Sequence, residues 1–298
     1  MRAVQFSEYG PSDVLRLVEA GAPEPGRGQV RVAVRVAGVN PLDWKLRSGV
    51  MPELALPRRP GLELAGVVDA AGEEAPFDAG EEVFGWADTG SYAEYALASL
   101  VARKPPELSW RDAAALPVAG ATASRVLRQL EVTSGEVLLL HGASGAVGRL
   151  ATQLAVGMGA TVVGTASPER FEDLRSLGAV PVAHGEGLVD RVREVTSRVD
   201  AVFDAAGKGV LPASVELRGG TERIVTIADT RASALGVVFS SGGSTERGTG
   251  VLDELAGRVV AGELDIAHAG SYPLSEAARA QDDSETGHSG GKITLDVG

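Results

Sequence analysis

Gln29-Val30-Arg31-Val32-Ala33-Val34-Arg35-Val36 sets apolar side chains at every second position, the period of a strand with one face buried and one face wet. Leu64-Ala65-Gly66-Val67-Val68-Asp69 and Ser91-Tyr92-Ala93-Glu94-Tyr95-Ala96-Leu97 read the same way, with Pro and Gly punctuating the intervals. Up to about residue 115 the pattern predicts short strands and turns, a mainly-β region. From about Trp110 the period changes. Asp112 to Pro117 opens a helix, Val118-Ala119-Gly120 interrupts it, and Ala121 to Leu130 forms a second helix. Apolar runs then alternate with helical patterns. Strands are predicted at Val137 to Leu140, Thr161 to Gly164, Ala201 to Phe203, Ile224 to Ile227 and Leu235 to Phe239, and helices at Arg149 to Gly157 and Pro168 to Leu177. Strands spaced by helices imply a parallel sheet with right-handed crossovers. The tail, Lys292 to Val297, returns to strand alternation. The expected architecture is α/β: a doubly wound parallel sheet (residues 118–248) inserted into a mainly-β domain (residues 1–117 and 249–298).

Composition narrows the function. The 298 residues allow about two domains. Twenty-eight Lys and Arg against 40 Asp and Glu leave a net charge of -12, which removes the attraction to nucleic-acid phosphates and to anionic membranes. With no cysteine there are no disulfides, thiolate-bound metals or thiol nucleophiles. No apolar run approaches the roughly 20 residues that span a bilayer, and MRAVQFSEYG lacks the basic and apolar regions of a signal peptide. A cytoplasmic location is expected.

Chemistry concentrates in one loop. Val137-Leu138-Leu139-Leu140-His141 leads into Gly142-Ala143-Ser144-Gly145-Ala146-Val147-Gly148 and a helix. Ala143-x-Gly145-x-x-Gly148 is a dinucleotide fingerprint in the context it requires, after a buried strand and at a helix start. Gly145 admits a pyrophosphate to the backbone, Gly148 lets helix pack on strand, and the helix N-terminus offers N–H groups and positive potential. The next strand, Val162-Val163-Gly164-Thr165-Ala166-Ser167-Pro168-Glu169-Arg170, lacks the acid that binds the ribose hydroxyls in NAD sites. Ser167 and Arg170 suit a 2′-phosphate instead, so NADPH is the expected cofactor. His141, closing a buried strand, is expected to be structural.

Six motifs in order carry a resemblance: Gly38-Val39-Asn40-Pro41-Leu42-Asp43-Trp44-Lys45-Leu46-Arg47-Ser48-Gly49, Pro60-Gly61-Leu62-Glu63-Leu64-Ala65-Gly66-Val67-Val68, Gly90-Ser91-Tyr92-Ala93-Glu94-Tyr95, Ala115-Leu116-Pro117-Val118-Ala119-Gly120-Ala121-Thr122-Ala123, the glycine loop, and Gly287-His288-Ser289-Gly290-Gly291-Lys292-Ile293. With them the chain resembles the zinc-free quinone oxidoreductase (zeta-crystallin-like) branch of the medium-chain dehydrogenase/reductase superfamily. The resemblance implies a GroES-like domain, a Rossmann domain, an active-site cleft between them and a homodimer. Zinc-bearing cousins place a metal-binding cysteine at Asn40, a relay hydroxyl at Leu42 and a metal-binding histidine at Leu62, so no metal is expected. The resemblance sets Asn40 and Thr122 beside the nicotinamide as catalytic residues. For the cofactor it implies Ser144, Gly145, Ala146, Val147, Gly148, Gly164, Thr165, Ser167, Arg170, Ala205, Ala206, Ile227, Phe239, Ser241 and Lys292. Residues 44 to 60 lack the tyrosine that relatives often set against the nicotinamide; Trp44 fills either that volume or the core. The stretch between Met51 and Pro60 is short, which implies a wider cleft. His184-Gly185 stands where relatives often carry an Asp-Tyr pair near the adenine. The expected activity is zinc-independent, NADPH-dependent hydride transfer to a quinone or to the β-carbon of an α,β-unsaturated carbonyl, with Asp43, Lys45 or water as the proton source. The alternative is a non-catalytic NADPH-binding sensor or structural protein, whose sign would be an intact glycine loop with an occluded or missing nicotinamide pocket.

Overall fold

The computed structural model describes residues 1–50, 55–242, 248–287 and 290–298. His288 and Ser289 of the last motif, and part of the short stretch after Met51, lie outside the described residues. The chain divides into two units, Met1–Val118 with Gly248–Gly298, and Ala119–Arg247.

The first unit begins with an antiparallel ribbon of β1 (Arg2–Gln5) and β2 (Arg16–Glu19). The ten-residue β3 (Val30–Val39) follows, with Val30, Val32 and Val34 buried and Arg35 exposed, as the alternation requires. Helix α1 (Pro41–Arg47) starts one residue beyond it. Its first turn is closed by Asp43, whose carboxylate accepts the Asn40 N–H at 2.8 Å, and Pro41 needs no helical partner at that position. Then come β4 (Glu63–Ala71), β5 (Glu82–Trp86), β6 (Tyr95–Ala98) and β7 (Leu100–Arg103). Helix α2 (Trp110–Gln129) carries the boundary between the units.

The second unit is made of β8 (Val137–His141), α3 (Ala146–Gly157), β9 (Thr161–Ala166), α4 (Phe171–Ser176), β10 (Val180–Ala183), α5 (Leu188–Val195), β11 (Ala201–Asp204), α6 (Leu211–Arg218), β12 (Ile224–Thr226) and β13 (Val238–Phe239). All six strands are parallel, in the order β10-β9-β8-β11-β12-β13. The order reverses direction between β8 and β11, the point at which doubly wound sheets bind ligands beyond the strand ends. Leu138, Leu139 and Leu140 are fully buried, the continuous apolar run of a strand covered on both faces.

The chain returns to the first unit with α7 (Thr249–Val260), β14 (His268–Pro273), α8 (Ala277–Glu285) and β15 (Lys292–Asp296). That sheet runs β14-β15-β3-β4-β5-β7, with β6 also paired to β3. Strand β15 lies antiparallel to β3, Thr294 opposite Gly38 and Ile293 opposite Val39. The pairing carries Lys292 to the end of β3, beside Asn40. A core of Val32, Val34, Leu64, Val68, Val83, Tyr92, Ile293 and Leu295 closes under the sheet.

Three expectations are corrected. The helices at Asp112 to Pro117 and Ala121 to Leu130 are one helix with Pro117 inside it. Ala113, Ala114, Ala115, Leu116, Ala119 and Ala123 are all buried along it, and that packing outweighs a local proline defect of about 3 kcal/mol. Ser91 to Leu97 is a strand only from Tyr95; Gly90 is left-handed (φ +86°) and Ala3 bridges to Ala93, so the preceding residues join β1 instead. Leu235 to Phe239 shortens to Val238–Phe239, because Ser233–Leu235 is a 3-10 turn closed by left-handed Gly236 (φ +67°).

Candidate active site

The glycine loop connects β8 to α3. Gly142 turns with φ +73°, and a side chain there would press on Ala205 and Ala206 of the loop after β11. Gly145 is the N-cap of α3 and supplies no side-chain cap, so the first N–H groups of the helix have no partner in the helix itself. A Cβ on Gly145 would meet only Gly142 O, at an ordinary 3.5 Å, whereas a Cβ on Gly148 would lie 2.1 Å from Gly142 O and 2.7 Å from Ala143 Cα. The first glycine faces space and the second is fixed by packing. Ser144, Gly145, Ala146 and Val147 are accordingly half-buried and Gly148 is buried. This cradle, an accessible helix N-terminus at the topological switch point, fits a dinucleotide pyrophosphate.

Other predicted residues gather at the same end of the sheet. Gly164 is packed against Ala143, whose Cβ a side chain there would meet at 2.9 Å. Ser167, Arg170, Ala205, Ala206 and Ile227 are half-buried and Phe239 and Ser241 are exposed, while Thr122, also half-buried, is on α2. The Ser167 hydroxyl donates to Glu169 Oε1 at 2.6 Å. Thr165 is buried, its hydroxyl 3.2 Å from His141 Nδ1.

His141 is structural in detail. The Ser214 hydroxyl donates to Val210 O (2.9 Å), so His141 Nε2, 3.0 Å from Ser214 Oγ, carries the ring proton and Nδ1 accepts from Thr165. Burial holds the imidazole down to about 4, opposed by the charge of Asp204. Sequence reasoning missed Asp204. Fully buried at the end of β11, it accepts the N–H groups of Ala206 and Gly207 through Oδ1 (both 2.9 Å) and the Thr226 hydroxyl through Oδ2 (2.8 Å). It shapes the loop carrying Ala205 and Ala206. The legible signal was an acid ending an apolar strand just before Ala-Ala-Gly.

The first unit contains a buried polar cluster around Asn40. Asn40 Nδ2 donates to Glu63 Oε1 at 2.8 Å, Lys292 Nζ donates to Asn40 Oδ1 at 2.7 Å, and Lys292 and Glu63 form an ion pair. Glu63 is fully buried, Lys292 is 2% exposed and Asn40 4%. Glu63 Oε2 also accepts the Val118 N–H at 2.6 Å. Lys292, expected against the cofactor, has its ammonium in this cluster. Asp43 accepts from Asn40 N, Gly61 N (3.1 Å) and the Tyr92 hydroxyl (3.2 Å). Burial pushes its carboxyl up to about 6, opposed by those N–H groups and the Lys292 charge. Burial likewise lifts the Tyr92 phenol well above its usual range. Sequence reasoning assigned no role to Glu63; a glutamate heading an apolar strand is its only signal.

These features define a two-part dehydrogenase or reductase. The model of the alcohol dehydrogenase GroES-like domain matches residues 26–105, and that of the zinc-binding dehydrogenase matches residues 146–241. The chain is 32% identical to a quinone oxidoreductase of Pseudomonas aeruginosa, over 94% of each chain. It is 33% identical to the NADPH-dependent alkenal/one oxidoreductase, chloroplastic, of Arabidopsis thaliana, covering 99% of this chain and 79% of that one. The Escherichia coli quinone oxidoreductase complexed with NADPH superposes with a TM-score of 0.90 over 100% of both chains, at 25% identity. The chain belongs to the quinone oxidoreductase branch of the medium-chain dehydrogenase/reductase superfamily.

The name of the second model raises zinc. The residues do not fit it: Leu42 and Leu62 have no lone pair to offer, and both ends of the Asn40 amide are engaged by Glu63 and Lys292. Among the described residues no three His, Cys, Asp or Glu side chains cluster to hold a metal ion. Nor is any described helix long and apolar enough to cross a membrane.

Proposed function

We propose that this protein is a zinc-independent, NADPH-dependent reductase that delivers hydride to a quinone or to the β-carbon of an α,β-unsaturated carbonyl. The observation that carries the proposal is the glycine loop, open at Gly145 and closed at Gly148, at the switch point of the parallel sheet. Relatives named as quinone and as alkenal/one oxidoreductases support both acceptor classes, and the NADPH complex of a structural neighbour supports the cofactor.

The N–H groups of Ala146, Val147 and Gly148 hold the pyrophosphate, with the positive end of the α3 dipole behind them. Ser167 and Arg170 take the 2′-phosphate. Ala205, Ala206 and Ile227 border the dinucleotide, and Thr122, Phe239 and Ser241 border the nicotinamide end. When bound, the reduced nicotinamide supplies the hydride. Asn40 orients the acceptor, and a proton from solvent completes the reduction. Activating the acceptor in this way needs no Lewis acid.

NADPH oxidation against a panel of quinones and enones, with products identified, tests the proposal. Turnover with at least one class, unchanged after exhaustive chelation, is expected. No turnover with any acceptor would overturn the reductase reading, and loss on chelation would overturn its zinc-independence.

A further inference from the structure

The amide of Asn40 has only one chemically consistent orientation. An ammonium can only donate and a carboxylate can only accept, so the atom facing Lys292 is Oδ1 and the atom facing Glu63 is Nδ2. Lys292 and Glu63 are themselves paired, and the three side chains form a closed ring of donors and acceptors. The ring is braced from two sides. Glu63 Oε2 is tied to the Val118 N–H, next to the proline in α2. Position 38 must be glycine, because a Cβ there would fall 2.2 Å from Glu63 Oε1. Gly38 does not have a left-handed backbone, so close approach alone dictates the residue.

We propose that Glu63 and Lys292 are positioning residues that lock the Asn40 amide, so that its second N–H is presented as a hydrogen-bond donor to the carbonyl oxygen of the acceptor. The inference rests on the reductase reading and deepens it. A carbonyl oxygen gains charge as hydride reaches a quinone ring or the β-carbon of an enone, and a fixed donor stabilises that charge without reorganising. An unlocked amide rotates about its last side-chain bond and presents donor or acceptor indifferently. A buried ion pair is a weak source of stability by itself, and here its observable product is the orientation of one amide.

A double-mutant cycle on the full-length protein tests this, with kcat and KM for an active quinone measured at saturating NADPH per folded molecule. Glu63→Gln is expected to lower kcat about tenfold, the scale of a misplaced contact, with NADPH affinity unchanged within about twofold because the pyrophosphate cradle is built by the glycine loop, which Glu63 does not brace. Lys292→Met is expected to lower kcat to a similar extent, and Lys292→Arg, which keeps charge and donors, to recover most of the rate. In an Asn40→Ala background, Glu63→Gln is expected to cost nothing further. Should Glu63→Gln fail to fold, Gly38→Ala displaces the same carboxylate sterically and is expected to reproduce the kcat loss. As a readout independent of turnover, the Asn40 side-chain NH2 signals of the cofactor-free protein are expected to lose their exchange protection in Lys292→Met. Wild-type turnover in Glu63→Gln, or a loss that persists undiminished in the Asn40→Ala background, would overturn the positioning role alone. A wild-type protein inactive toward every acceptor would overturn the reductase reading and this inference with it.

Discussion

Gly145 and Gly148 are three residues apart and opposite in role. A valine at 145 would extend into open space, where the proposed function puts the pyrophosphate, touching only Gly142 O on the protein side. Gly145→Val should therefore abolish NADPH binding in calorimetric titration while leaving the urea midpoint near that of wild type. Gly148→Val should behave oppositely, losing about 3 kcal/mol in urea melts, because its side chain would be driven into Gly142 and Ala143. The fingerprint already separates the two positions, and the structure shows the tight packing it requires at Gly148. Glu169 stands beside Arg170 in the sequence, but only the structure shows that it takes the Ser167 hydroxyl as a partner. NADPH should still bind at least tenfold more tightly than NADH, about 1.4 kcal/mol. Arg170→Ala should narrow that ratio and Glu169→Gln widen it, by removing a carboxylate that repels the 2′-phosphate. Equal affinities for the two cofactors in wild type would refute the assignment.

Strand ends in the parallel sheet are held by buried polar groups. At the end of β8, neutral His141 bridges Thr165 and Ser214. Its folded value of about 4 lies below the ordinary 6.5, so the unfolded chain binds more protons between those two values. Stability is accordingly lost as pH falls through that window, by up to about 3 kcal/mol from this group. His141→Gln should flatten the loss between pH 6.5 and pH 4.5 in urea melts, and an unchanged profile would contradict the assignment. Asp43 works the other way in the same window. Its folded value of about 6 exceeds the unfolded 3.8, so its burial costs stability as pH rises through that range. At the end of β11, Asp204→Ala would leave two backbone N–H groups and a hydroxyl without their acceptor. It should cost about 3 kcal/mol by the same melts and weaken NADPH binding through the Ala205-Ala206 loop.

At the scale of the whole molecule, β13 ends the parallel sheet with only β12 beside it among the described residues, and Val238 and Phe239 are 49% and 44% exposed. A short apolar edge of this kind pairs readily with another edge. The homodimer implied by the resemblance should therefore dissociate in Val238→Lys, read by sedimentation; a dimer untouched by this change would place the interface elsewhere. The other whole-chain feature is closure of the first unit by β15, which joins residues 252 positions apart at Asn40 and Lys292.

Local pattern was enough to identify β3, five of the six strands of the parallel sheet and the glycine loop, because strand period, buried apolar runs and turn glycines are properties of neighbouring residues; the short edge strand β10, Val180–Ala183, was not predicted. The lack of an acid at the end of β9 and the missing cysteines were equally local, and with the ordered motifs they made the class readable from the sequence. Tertiary structure decided the rest. Whether Pro117 breaks a helix depends on the alanines packed around it, and whether Leu235 belongs to a strand depends on the turn that closes at Gly236. The partners of Asn40 come from β4 and β15, far apart in sequence. No periodicity encodes such a meeting, since an ion pair exists only once the sheet's register has brought its charges together in a place without water.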